Sequence, residues 1–180
     1  RFGQVLLVLG SCILLGSVSV DLKSGFFLIG MFILGGGLGI LASQLGNINM
    51  SSVPENQSAE VGGLQGVAQN LGSSLGTALI GSVLIASLTT AFVSNVQAST
   101  LPNDIKTYIT QNSTAGVSIV PASQVESFAL SKGADQSEAD EITNTYSESQ
   151  ITALKQALTA VAVLATITLM FSRHIPNKIS

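Results

Sequence analysis

The chain has 180 residues, of which 46% are hydrophobic and only 9% charged, with a mean hydropathy of +0.53. Soluble domains carry about 25% charged residues, and a water-facing surface this poor in charge would be adhesive and badly solvated, so the composition argues against a soluble domain and for an integral membrane protein. The net charge of −3 includes no basic patch, which speaks against a nucleic-acid partner, and one cysteine (Cys12) with one histidine (His174) leaves no intrachain disulfide and argues against a zinc site.

Charge-free runs mark the expected spans, since a helix crossing a bilayer needs about 20 apolar residues. The first is residues 1–20, bounded by Arg1 and by Asp21-Leu22-Lys23. A signal peptide is the alternative, but Met is missing and further apolar runs follow. The second is residues 24–53, with an apolar centre from Phe26 to Leu45, and Pro54 ends or redirects it. The third is residues 58–96, with Ser58 expected as N-cap and Glu60 in the first turn. That run exceeds one bilayer thickness, so its helix must tilt or extend beyond the membrane.

Residues 97–150 then hold seven of the ten acids and two of the seven basic residues. This is read as a long acidic outward loop containing short helices. One is expected from Pro121, with Val125, Phe128 and Ala129 on one face and Gly133 at its end. Another has Ile142, Tyr146, Ser149 and Ala153 at helical spacing and should continue unbroken into the last span, residues 151–172. Asn112-Ser113-Thr114 matches the N-glycosylation acceptor pattern, a match common by chance. Residues 173–180 form a basic tail with Arg173 and Lys178. By the positive-inside rule, Arg1 and this tail place both ends in the cytoplasm of a multi-pass cell-membrane protein.

Glycine weakens a helix in water, yet Pro54 to Leu84 holds six glycines where a helix is expected. In lipid, small residues at four-residue spacing let helices approach closely. Gly35 and Gly39 in the second span, and Gly62 with Gly66 and Gly72 with Gly76 in the third, are therefore candidate packing or gliding surfaces. Gln65, Gln69, Gly72 and Gly76 form one stripe with Asn70 beside it. Such amides face a protein interior or a water-filled cavity, so Gln65, Gln69 and Asn70 are candidate cavity-lining residues, with interhelical hydrogen bonding the plainer alternative. Pro54 and Glu55 mark the helix-boundary turn. No Asp, Glu, His, Lys or Arg falls deep within a span, and neither a Ser/His/Asp set nor a metal-ligand cluster is present. The reading is of a non-enzyme without a cofactor.

Several of these features occur in a fixed order. FFLIGMFILGGGLGILASQLGNINMSSVPE ends a glycine-rich helix in Val-Pro-Glu. A helix start follows with small-x-x-Gly-x-x-Gln-x-x-x-Gln-Asn-Leu-Gly-x-x-Leu-Gly, running from Ala59 through Gly62, Gln65, Asn70, Gly72 and Gly76. A long loop, an Ala-rich helix and a short basic tail containing Pro176 close the chain. This resembles the C-terminal end of a fourteen-helix drug:proton antiporter of the major facilitator superfamily. Asn70 stands where relatives often carry Arg. The resemblance implies an all-α membrane protein whose four transmembrane helices are the last of fourteen in the C-terminal bundle. It implies export of drugs or other hydrophobic compounds in exchange for protons, by two bundles rocking around a midplane site. The expected partners are the lipid bilayer, the N-terminal helices of the same chain and a hydrophobic small-molecule substrate. The family's coupling acids and glycine-proline motif belong to earlier helices. Arg1 in place of Met predicts a fragment or processed product. The alternatives are a complete four-span assembly or sensing subunit and, against the span lengths, a secreted or lipid-anchored protein.

Overall fold

The computed structural model describes residues 2–18, 24–51 and 53–172, and among these every regular element is helical. The helices are α1 (Phe2–Ser17), α2 (Gly25–Ser51), α3 (Ser58–Ala98), α4 (Asn103–Asn112), α5 (Ala122–Ser131) and α6 (Gln136–Ser172), with one 3-10 turn at Glu55–Gln57. Three segments are long and apolar enough to cross a membrane: Gly25–Ser51, Glu55–Ala98 and Gln136–Phe171. Among the described residues the protein is all-helical, and these three segments are those expected of a membrane protein. The 16 residues of α1 are apolar, but at 1.5 Å per residue they reach about 24 Å, short of a hydrocarbon core of about 30 Å. The Asp21–Lys23 turn, Arg1 and the basic tail 173–180, on which the expected orientation rests, lie outside the described residues.

The chain divides into two compact units, Arg1–Ile80 with Leu158–Ser180, and Gly81–Ala157. In the first, α1 and α2 form a hairpin whose seam is made by glycines. A Cβ on Gly3 would lie 3.0 Å from the Gly37 carbonyl oxygen, and one on Gly37 would lie 2.9 Å from that of Gly3. The Leu34 backbone sits against Gly10, and the Leu14 side chain fills the space left by Gly30. Gly3, Gly10, Gly30 and Gly37 are all buried. Ser11, on the same seam, hands its hydroxyl proton to the Leu7 carbonyl at 2.8 Å and so buries no unpaired donor.

Pro54, at φ −58° and ψ 149°, ends the α2 direction and opens the 3-10 turn. Ser58 does not cap α3. Its backbone is already helical, and its hydroxyl donates to the Glu55 carbonyl at 2.6 Å. The 3-10 turn has taken the place of a capped start, and the extended residue at its head is Pro54, which has no side-chain acceptor. Leu64, Val67, Leu71, Leu75 and Leu79 along α3 are exposed, as is Phe32 on α2 at 82%. Burying one such side chain is worth about 1.5–3 kcal/mol, so these faces belong in lipid or against other helices.

The second unit has its own core, built by the end of α3 (Leu88, Phe92, Val96), Leu101, Ala129 of α5 and the start of α6 (Ala139, Ile142, Tyr146, Ala153). Tyr146 is its hub. The side chain is 1% exposed and meets the Phe92 ring edge-on at 5.6 Å. Its hydroxyl accepts from Val120 N at 2.9 Å and donates to the Ser118 carbonyl at 2.8 Å, pinning the α4–α5 connection. Asn95 donates to Ser149 at 3.0 Å, joining α3 to α6. Glu141 accepts from both the backbone and the hydroxyl of Thr100, and Lys106 donates to the Gln97 and Ser99 carbonyls, so the end of α3 is held by both charges. Gly133 ends α5 at φ +94°, with Ala134 N bonded to the Ala129 carbonyl and Gly133 N to that of Leu130. That is the Schellman arrangement, which wants glycine at the left-handed position. α6 runs unbroken out of this unit to Ser172.

Candidate functional site

The sequence directs attention first to α3 and the glycines of α2. Near the start of α3 two expected residues meet α2. Gly62 would bring an added Cβ to 3.6 Å from Met50 Cε, an ordinary contact. Asn49 Nδ2 donates to Gln65 Oε1 at 3.2 Å, so Gln65 forms an interhelical amide pair. Further along, the stripe is open. Gln69 and Asn70 are exposed and have no hydrogen-bond partner among the described residues, and Gly66, Gly72 and Gly76 have nothing within 4 Å of an added Cβ. Gly35 and Gly39 are open in the same way. They flank Gly37, and at about 100° per residue a step of two turns a side chain to the far side of the helix. The cluster Gly35-Gly36-Gly37-Leu38-Gly39 therefore splits, with Gly37 against α1 and Gly35 and Gly39 facing away. Pro54 and Glu55 are exposed in the turn, Glu55 contributing its backbone carbonyl to Ser58.

Chemically, this face offers amide donors and acceptors beside bare backbone, with no ionisable group among them. It can hydrogen-bond an uncharged polar atom or admit another helix closely, and it cannot transfer a proton.

The second unit holds a groove of about 1010 Å³. Phe92, Ile142 and Tyr146 line its base. One wall is α4, where Asp104, Ile105, Tyr108, Ile109 and Asn112 recur at helical spacing. The other is α5, with Val125, Phe128, Ala129 and Lys132. Two carboxylates reach it. Glu138 is engaged in a capping box, accepting from Asp135 N at 2.9 Å while Asp135 Oδ1 accepts from Glu138 N at 2.8 Å. Asp104 is exposed and has no side-chain partner among the described residues. Lys132 Nζ lies 5.5 Å from the centre of the Phe128 ring, a cation–π pair. No group of three or more His, Cys, Asp and Glu is placed to hold a metal among the described residues.

Comparison with known proteins yields nothing: no family model, curated protein or solved structure matches this chain.

Two features escaped the sequence reading. The α1–α2 seam carries glycines seven residues apart, Gly3 with Gly10 and Gly30 with Gly37, a spacing less conspicuous than the four-residue spacings beside it. The groove wall on α4 was legible as Ile105, Tyr108, Ile109 and Asn112, which the loop's polarity masks.

Proposed function

We propose that the chain supplies the last four spans of a fourteen-helix antiporter of the major facilitator superfamily, with α1 as the first of the four. It exports drugs or other hydrophobic compounds in exchange for protons by alternating access. Both ends lie in the cytoplasm of the cell membrane, and the acidic second unit faces outward. The observation that carries the reading is the open side of α3. Gln69, Asn70, Gly72 and Gly76 present amides and bare backbone with no partner among the described residues. A face that combines close-approach glycines with membrane-depth amides fits a helix lining a cavity and sliding against neighbours. The resemblance of the Pro54–Gly76 block adds the direction and driving ion. Other spans must hold the proton, because this face has no ionisable group.

The test is transport by the full-length protein reconstituted in liposomes with a fluorescent hydrophobic substrate. An imposed proton gradient should drive substrate against its concentration gradient, and substrate addition should move protons in the opposite direction. Substrate flux indifferent to the proton gradient, or none at all, overturns the reading.

A further inference from the structure

We infer that the groove of the second unit is a binding site for a primary ammonium carrying an apolar body, such as an arylalkylamine. The inference uses none of the residues of the transport reading and stands without it. Size comes first. At about 1010 Å³ the groove matches the upper end of small-molecule sites, about 300–1,000 Å³. Its base is apolar and fixed, because Phe92 and Tyr146 are held edge-to-face and the Tyr146 hydroxyl is bonded on both sides. An apolar body therefore meets a preformed surface.

The choice of a cation rests on charge. From Gly81 to Ala157 the chain has seven acids and three lysines. Two of those lysines are already engaged: Lys106 caps the end of α3, and Lys132 lies on Phe128. Asp104 and Tyr108 stand one turn apart on α4, and both line the groove. The Asp104 carboxylate has no partner among the described residues, and Tyr108 is 46% exposed. A carboxylate beside a free aromatic face is what an ammonium requires, one for its N–H donors and one for its charge. The other wall shows the same chemistry in use. Lys132 is itself a primary ammonium on an alkyl stem, and it rests over the Phe128 ring. The groove thus holds one ammonium of its own over a ring, and on α4 it has a second ring with a carboxylate one turn away, unfilled. The specificity is for a primary ammonium over an uncharged analogue, because only the former brings a positive charge to Asp104.

The experiment is equilibrium dialysis of the full chain in lipid nanodiscs, corrected with empty nanodiscs, using phenethylammonium and its neutral counterpart 2-phenylethanol. Phenethylammonium should bind saturably and at least about tenfold more tightly than the alcohol, the factor that one charge-assisted contact supplies. Asp104→Asn should remove most of that difference and leave the alcohol unchanged. Lys132→Gln should strengthen phenethylammonium binding several-fold, since it removes a like charge and frees the Phe128 face; a gain of this kind cannot come from a variant that has failed to fold. Equal binding of amine and alcohol would make the groove a bare apolar cleft for lipid or detergent tails and overturn the inference. So would indifference to Asp104→Asn, or the absence of saturable binding, which would leave the groove to a protein partner.

Discussion

Replacing Tyr146 with Phe removes one oxygen from the centre of the second unit and nothing else. The ring stays, so its edge-to-face contact with Phe92 at 5.6 Å survives. What is lost is the partner of two backbone groups, the Val120 N–H at 2.9 Å and the Ser118 carbonyl at 2.8 Å. Tyr146 is 1% exposed and both bonds are part-buried, so water from the groove replaces the hydroxyl only in part. An unsatisfied buried group costs about 1–3 kcal/mol. The Val120 carbonyl keeps Gln150 Nε2 at 3.1 Å, which confines the damage to the Ser118 carbonyl and the Val120 amide. Hydrogen exchange measured by mass spectrometry on the full chain reads this directly. Peptides covering residues 117–121 should exchange roughly five- to a hundredfold faster in the variant, the same free energy expressed as an opening constant. Peptides within α2 should be unchanged. If the 117–121 peptides exchange at the wild-type rate, the hydroxyl is not what holds the connection, and the hub assignment fails.

Gly10→Leu should separate the α1–α2 hairpin, because a Cβ there would lie 2.7 Å from Leu34 N and 2.8 Å from its Cβ; overpacking costs about 1–3 kcal/mol, read as a lower melting temperature in detergent. Gly35→Leu, with nothing within 4 Å, should leave that melting temperature where it was. Gly72→Leu and Gly76→Leu should each reduce efflux by the full-length protein at normal expression, and normal efflux in both would remove the packing role of the α3 stripe. Gln65→Leu leaves Asn49 without its 3.2 Å partner and should cost about 0.6 kcal/mol, the mean found for polar pairs between membrane helices, measured by the same melting assay.

The sequence disclosed most where one period dominated. Ile142, Tyr146, Ser149 and Ala153 repeat at helical spacing, and all four are buried. Pro54 and Gly133 act through backbone geometry alone, so each could be placed without knowing its neighbours. The expected Ser58 cap fails because a cap depends on the capping residue itself being extended, and the 3-10 turn from Glu55 leaves Ser58 helical. The second unit was read as a loop between spans because charge defined its borders. Its core instead starts at Leu88 and ends at Ala153, drawing in the ends of both flanking helices. Apolar residues in such ends look the same whether lipid or protein covers them, so hydropathy could not mark the boundary. The groove depends on which faces α4 and α5 turn to each other, information that lies in neither helix alone.

The two glycine spacings lead to different partners. Seven residues turn a helix by about 700°, some 20° short of two full turns. Glycines seven apart therefore stay on one narrow line and suit a neighbour that crosses at a shallow left-handed angle. Gly3 with Gly10 and Gly30 with Gly37 are of this kind, and they are buried in the α1–α2 seam. Four residues overshoot one turn by about 40°, so glycines four apart lie along a ridge inclined the other way, which suits the right-handed crossing near −40°. Gly35 with Gly39 and Gly72 with Gly76 are of this kind, and they are open. The closed seam and the open faces thus differ in geometry as well as in occupancy. A helix that docks on Gly35 and Gly39 should cross α2 with the opposite hand to α1. A structure of the full-length protein in which that neighbour crosses with the same hand as α1 would show that the four-residue spacing has no bearing on the choice of partner.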